Sequence, residues 1–273
     1  MPEGDTIHRT AATLRATLLD QPLRRVELPR LAPPLPRVGS AISRIEARGK
    51  HLLLHVDDGL VIHTHQRMTG AWHVYAPGQR WRKPPRAARV VLGVAGATAV
   101  CFHAPVVEVI DQPALARHPA LRRLGPDLTD PATPVAAVVA QALDALAATT
   151  SDVTSRSVGE MLLDQRIACG VGNVYRSEVC FLHGVDPTTP LSAVSRDTAG
   201  SLLTTAAELL RANLITTART TVATAAPGSL WVYGRADEPC RRCRTAIRLH
   251  HHGEPPRLVY RCPTCQPAEG STP

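Results

Sequence analysis

Aromatic residues are scarce in this 273-residue chain: three Trp, four Tyr and two Phe, 3% of the total. A core must therefore rest on aliphatic side chains, and a hydrophobic content of 44% is enough for one. No run of about 18 apolar residues occurs, which excludes a membrane span as a first reading. The opening MPEGDTIHR has neither the basic nor the apolar region of a secretory leader. Acidic residues are in deficit, 23 Asp and Glu against 31 Lys and Arg, and the formal charge of +8 points to an anionic partner. Seven cysteines are an odd number for a chain without an export signal, so thiolate metal ligation is favoured over a disulfide scaffold. The expectation is a soluble, basic, cytoplasmic protein of one large domain or two, with room for a small appendage.

Along the chain, Ile7, Ala11, Leu14 and Leu18 recur at helical spacing, with Asp5 or Thr6 as the expected cap and Gln21-Pro22 as the break. Short β segments follow at 24–28, 42–47, 51–56, 60–65, 72–75, 89–94 and 98–103. Asp57-Asp58-Gly59 reads as a hairpin turn, Gly96 marks another, and the pattern suggests a β-sandwich or barrel. The loop 79–89, QRWRKPPRAAR, carries five basic residues and no acid, and reads either as a solvated loop or as one facing phosphates. Composition shifts around 105–135, where LGPDLTDPATP reads as a linker. Helices are then predicted at 135–148, 158–165, 173–182 and 198–214. Between the second and third, RIACGVGN holds two glycines in three residues, permitting tight backbone turns.

Cys240-x2-Cys243 and Cys262-x2-Cys265, 18 residues apart, have the spacing of a four-cysteine zinc site in which each pair forms one knuckle. A module this small has little apolar core, so one structural Zn²⁺ is expected to supply most of its folding free energy. Cys101, Cys169 and Cys180 sit in apolar surroundings and read as packing residues. His250-His251-His252 is a weaker competing metal site, placed where a solvent-facing hairpin is expected. A zinc ribbon by itself says little about function.

Taken together, PEGDTIHR at the start, RGKHLL at 48–53, LLDQRIACGVGNVYRSE at 162–178 and the closing YRCPTCQ resemble the formamidopyrimidine-DNA glycosylase/endonuclease VIII family along almost the whole chain. PEG, LLDQ and HPALRRLGPD look closest to its endonuclease VIII branch, of the actinobacterial type. The resemblance implies an α+β architecture: an N-terminal catalytic β-sandwich with a flanking helix at 1–125, a helix-two-turns-helix domain at 131–225, a zinc finger at 229–266 and a disordered tail at 267–273.

It also implies roles. Pro2, once Met1 is removed, would be the nucleophile, since a terminal amine is partly neutral near pH 8 and a secondary amine yields an iminium cation. Glu3 would be the general acid/base. Lys50, in Gly-Lys-His before a strand, matches a lysine that contacts phosphate and assists proton transfer, though its bland reading is a surface lysine. Asn173 matches a phosphate-binding asparagine, and Arg257, five residues before Cys262, a phosphate-gripping arginine implicated in the second elimination. Glu178 is expected to be structural. Met68, in HTHQRMTG, reads as core filler or as a wedge that fills the gap left by a flipped base, with Arg67 and Thr69 assisting; His65 is a weaker phosphate contact. Many relatives carry Glu at position 6. Here it is Thr6, so that carboxylate's role is not carried over, although Asp5 is a partial substitute.

The expected function is thus a bifunctional DNA glycosylase and DNA-(apurinic or apyrimidinic site) lyase of base excision repair. It would act on oxidised bases, pyrimidines first, through a Schiff base on Pro2 followed by β,δ-elimination. The expected partner is damaged DNA, with no membrane and no small-molecule cofactor, and the protein is expected to be a monomer at the bacterial nucleoid. The rivals are an oxidised-purine glycosylase and a non-catalytic damage-binding protein.

Overall fold

The computed structural model describes residues 2–149 and 156–267, which cluster into two compact units, 1–123 and 124–273. The expected disordered tail lies, apart from residue 267, outside the described residues.

In the first unit, helix α1 (Gly4–Leu18) precedes eight strands: β1 (Arg25–Glu27), β2 (Ile42–Arg48), β3 (His51–Val56), β4 (Leu60–His65), β5 (Ala71–Tyr75), β6 (Ala88–Gly93), β7 (Thr98–Phe102) and β8 (Val106–Asp111). They form two antiparallel four-stranded sheets, β1-β6-β7-β5 and β2-β3-β4-β8. Leu52, Leu54 and Ile62 of one sheet and Val90, Leu92 and Cys101 of the other share a core with Ile7, Leu14 and Leu18 of α1. The period-2 alternation of the strands and the 3.6-residue period of the helix converge on that layer. The Gly59 turn forms as expected, with Asp58 Oδ1 accepting from Leu60 N at 3.2 Å.

Three expectations need correction. Helix α1 starts at Gly4 with Glu3 as its cap residue, so neither Asp5 nor Thr6 caps it. Strand β8 and helix α2 (Gln112–Arg117) occupy part of the stretch where only a shift of composition was legible. The Asp111 side chain caps α2, accepting from Ala114 N at 2.7 Å, with Pro113 in the first turn. The Pro/Asp-rich 124–134 segment is not a free linker. Leu128 is fully buried, and its backbone bonds to Cys169 O and to the Arg211 side chain at 3.2 and 3.0 Å.

The basic loop is anchored rather than merely solvated: Trp81 stacks near Tyr75 and meets Phe102 edge-on, with ring centroids 6.1 and 5.6 Å away.

The second unit holds α3 (Val135–Ala148), α4 (Val158–Leu163), α5 (Asn173–Leu182), α6 (Arg196–Ala212) and the hairpin of β9 (Arg248–His252) and β10 (Arg257–Arg261). A capping box opens α4: Ser157 Oγ accepts from Glu160 N, and Glu160 Oε2 accepts from Ser157 N. This helix ends at Leu163, two residues early, because the Asp164 carboxylate turns the chain by accepting from Arg166 N. Ser195 caps α6 and moves its start to Arg196. Met161, Tyr175, Val179, Leu203 and Leu210 fill the helical core.

Candidate functional site

The extended backbone at Glu3 places its carbonyl to accept from Thr6 N and Ile7 N, at 3.0 and 3.1 Å, so Pro2 and Glu3 sit at the positive end of the α1 dipole. Glu3 and Asp5 are both fully buried. Asp5 pairs with Arg9 at 3.1 Å and accepts from the Thr6 hydroxyl at 3.2 Å, while Thr6 accepts from Arg9 Nη2 at 3.2 Å. Thr6 thus orients an ion pair. Asp5 is engaged in that pair.

Lys50 lies in the two-residue turn between β2 and β3, in which Arg48 pairs with His51. Gly49 has φ +57, the sign that the first central residue of a type II′ hairpin turn needs. Beyond the turn, the antiparallel register gathers histidines on one sheet face: His51 opposes His65, and His63 opposes Glu108. His51 Nδ1 and His63 Nε2 are 2.9 Å apart, His63 Nδ1 and Glu108 Oε2 2.9 Å, and His118 Nε2 and Glu108 Oε2 3.0 Å. Burial, the largest cause, pushes the His51 ring down to about 2 and the His65 ring to about 4. Both rings are neutral at pH 7. Glu108 stays below the ordinary carboxylate value: burial opposes this, but hydrogen bonds from His63 and His118 outweigh it.

Met68 is 67% exposed, which overturns its reading as core filler. It sits with exposed Arg67 and Thr69 on a tight loop closed by Gly70 N donating to Gln66 O at 2.8 Å. A Cβ at Gly70 would meet the Gln66 backbone at 2.7 Å, so only glycine closes this loop.

In the second unit, Gln165 braces the glycine-rich segment, donating to Leu163 O and Val171 O at 2.8 and 3.1 Å and accepting from Gly170 N at 3.2 Å. Asn173 is the first residue of α5, and its buried side-chain oxygen has no hydrogen-bond partner among the described residues. Glu178 is fully buried and accepts from the backbone N–H groups of Trp231, Val232 and Tyr233 at 2.7–2.9 Å, and from the Thr221 hydroxyl. It ties α5 to the segment leading into the cysteines. Such a role is structural, as expected.

The four cysteine sulfurs lie within 4.8 Å of one another, with Cys243 3.4 Å from Cys262 and 3.5 Å from Cys265, and Cys240 3.9 Å from Cys265. A tetrahedral ion at 2.3 Å from each sulfur sets sulfur–sulfur distances of about 3.8 Å, so the set fits one metal ion. Arg242 N donates to Cys240 Sγ at 3.3 Å and Cys265 N to Cys262 Sγ at 3.5 Å, bonds that favour thiolates. Phe181, Val232 and Ile247 pack around them. Cys101, Cys169 and Cys180 are buried, and burial pushes the Cys101 and Cys180 thiols up to about 12.

The three-histidine run is not gathered into a site. His252 instead meets Ser157 Oγ at 2.9 Å. Arg257 is exposed at the start of β10, opposite His252, on a cavity of about 300 Å³ also lined by Arg156, Asp164, Arg166 and Arg176.

Sequence reasoning missed Glu108, His118 and the fully buried Arg176, which donates to Leu258 O. The alternation of His51, His63 and His65 in two paired strands was a usable signal for the first group. Nothing local marks Arg176.

Models of the formamidopyrimidine-DNA glycosylase N-terminal domain and H2TH domain match residues 1–105 and 130–225. A probable endonuclease 8 2 of Streptomyces coelicolor is 42% identical over 97% of this chain and 94% of its own length. The DNA-(apurinic or apyrimidinic site) lyase Nei2 of Mycolicibacterium smegmatis is 38% identical over 98% of this chain and 100% of its own. Endonuclease 8 of Escherichia coli is 30% identical, covering 97% of this chain and 100% of its own. Among solved structures, Lactococcus lactis formamidopyrimidine-DNA glycosylase bound to abasic-site DNA superposes with a TM-score of 0.75 at 18% identity, over 98% of this chain and 100% of that one.

Proposed function

Since this chain belongs to the formamidopyrimidine-DNA glycosylase/endonuclease VIII family, and is an enzyme of the glycosylase and abasic-site lyase class, we propose that it excises oxidised bases, pyrimidines first, and then cuts the strand by β,δ-elimination. The placement of Pro2 directly before a fully buried Glu3, at the positive end of α1, carries this reading.

With Met1 removed, the neutral Pro2 nitrogen attacks C1′ of the damaged nucleotide, the bond to the base breaks and the base takes up a proton. The Pro2 nitrogen then loses its own proton and the C1′–O4′ bond opens, with Glu3 protonating the ring oxygen, which leaves an iminium between Pro2 and C1′. The iminium formed on Pro2 accepts the electrons released when the C2′ proton is lost. The 3′ phosphate then leaves, and a second elimination expels the 5′ phosphate.

Lys50 serves proton transfer and phosphate contact, while Asn173 and Arg257 hold backbone phosphates. Met68 enters the gap left by the flipped base, for which its exposure on a glycine-closed loop suits it. The four cysteines would hold one structural zinc, which would close the finger. Four thiolates and Zn²⁺ contribute −2, lowering the formal +8 to about +6, still basic enough for DNA. No helix among the described residues is long and apolar enough to cross a membrane, and we place a monomeric enzyme at the bacterial nucleoid. The endonuclease 8 relatives at 30–42% identity favour that branch over an oxidised-purine enzyme, to which the likeness at 18% lies in fold.

Borohydride trapping on abasic-site DNA tests the reading. Pro2→Gly, or a retained extension ahead of Pro2, is expected to abolish nearly all of the trapped complex. Full trapping by Met1-bearing protein overturns it.

A further inference from the structure

The histidine array on the β3-β4-β8 face has a single internally consistent hydrogen-bond polarity. Leu121 N donates to His118 Nδ1 at 3.3 Å, so the neutral His118 ring carries its proton on Nε2 and donates it to Glu108 Oε2. An ionised carboxylate only accepts, so His63 also donates to Glu108, from Nδ1. That leaves His63 Nε2 as an acceptor, and His51 must supply the proton from its own Nδ1. The remaining nitrogen of His51, Nε2, is left with a lone pair, on the residue that follows Lys50 in the hairpin turn. His65, whose ring centroid lies 4.6 Å from that of His51, accepts from Arg67 N on Nδ1 and carries its proton on Nε2.

We infer that Glu108, His63 and His118 are positioning residues that fix the tautomer of His51, so that Lys50 works beside a neutral imidazole acceptor rather than a donor. The inference rests on the proposed role of Lys50 in proton transfer. A donor beside the Lys50 amine would compete for its lone pair or repel its ammonium form. An acceptor instead holds the protonated amine and allows it to release a proton toward the lesion. Lys50 and His51 are consecutive, the lysine in the turn and the histidine at the start of β3.

The same three side chains, His63, Glu108 and His118, have donor atoms within 4.8 Å of one another, as a metal site would. The Leu121 amide argues against that use. A neutral imidazole bound to metal through Nε2 would carry its proton on Nδ1, directed at another N–H.

The test uses full-length, zinc-loaded protein with ¹⁵N-labelled histidine. Two-bond ¹H–¹⁵N spectra at pH 7.5 are expected to show protons on Nδ1 of His51 and His63 and on Nε2 of His65 and His118. Glu108→Leu is expected to leave His51 a mixture of tautomers. It should slow single-turnover strand cleavage about tenfold, part of what a general acid/base contributes, with DNA affinity unchanged. Glu108→Gln keeps an acceptor oxygen and is expected to restore both the tautomer and, within about threefold, the rate.

A proton on Nε2 of His51 in the unmodified protein overturns the inference. So does a second bound metal equivalent that Glu108→Leu removes, or a Glu108→Leu protein that cleaves at the normal rate. Lys50→Ala separates the two layers of the argument. Normal cleavage by that variant sinks the Lys50 reading, and the proposed purpose of the array with it, whereas a wrong tautomer pattern sinks the array alone.

Discussion

The two units hold their polar residues in place by different means. In residues 1–123, strand register does it: once β3, β4 and β8 pair, His51, His63, His65 and Glu108 share a face without any local motif arranging them. In residues 124–273, caps and single buried charges do it. Ser157 and Glu160 open one helix, Asp164 ends it, and Glu178 gathers three consecutive backbone N–H groups. The first unit has a continuous two-sheet core and spreads its polar geometry over many pairings. The second concentrates its geometry in a few side chains and four close cysteines, and so is the more vulnerable to single changes.

Metal removal is expected to separate the units most sharply. Structural zinc in small modules contributes on the order of 10 kcal/mol of apparent folding free energy. Chelation, or Cys240→Ser, is expected to release one metal equivalent and abolish DNA binding while the β-sheet circular dichroism of the sandwich persists. Metal analysis with no zinc in the purified protein, or coincident loss of both units, breaks the comparison.

Glu178→Leu comes next. It strands the N–H groups of Trp231, Val232 and Tyr233 in a buried site, and a cost of roughly 3–5 kcal/mol is expected. Differential scanning calorimetry should register this as a lower melting transition for the second unit alone. A loss below 1 kcal/mol would mean that water replaces the carboxylate.

Acid sharpens the contrast on a smaller scale. Burial raises the Asp164 carboxyl, but hydrogen bonds from Arg166 and Arg156 outweigh it and hold the group at about 2, below its ordinary 3.8. A folded value below the unfolded one means that the native state binds fewer protons. The stabilisation is therefore complete above about pH 4 and is lost as pH falls toward 2, at most about 2 kcal/mol. Urea midpoints of Asp164→Asn and unmodified protein should differ at pH 5 and converge at pH 2.

Arg257 and Asn173 give the smallest effect and leave stability alone. Arg257→Ala is expected to weaken binding to every lesion alike, to flatten the salt dependence by about one unit and to shift products away from δ-elimination. Asn173→Ala removes no charge and should weaken binding with the slope intact. A changed lesion preference in Arg257→Ala, with the slope unaltered, would assign that arginine to base reading.

Local pattern carried much of this molecule. The 3.6-residue repeat of Ile7, Ala11, Leu14 and Leu18, the Asp57-Asp58-Gly59 turn between 51–56 and 60–65, and the paired CxxC spacing each express a rule that operates over a few residues, and each marked its element. The ends of elements were less legible, because caps such as Asp111, Asp164 and Ser195 act through side-chain bonds to a single nearby backbone N–H. What joins distant segments was not legible at all. Glu178 chooses Thr221 and residues 231–233, His63 finds Glu108 45 positions away, and Met68 is turned outward by the approach of Gly70 to the Gln66 backbone. Periodicity shows which face of an element is apolar. Which polar groups meet across that face depends on strand order and register, and those are decided only when the whole chain packs.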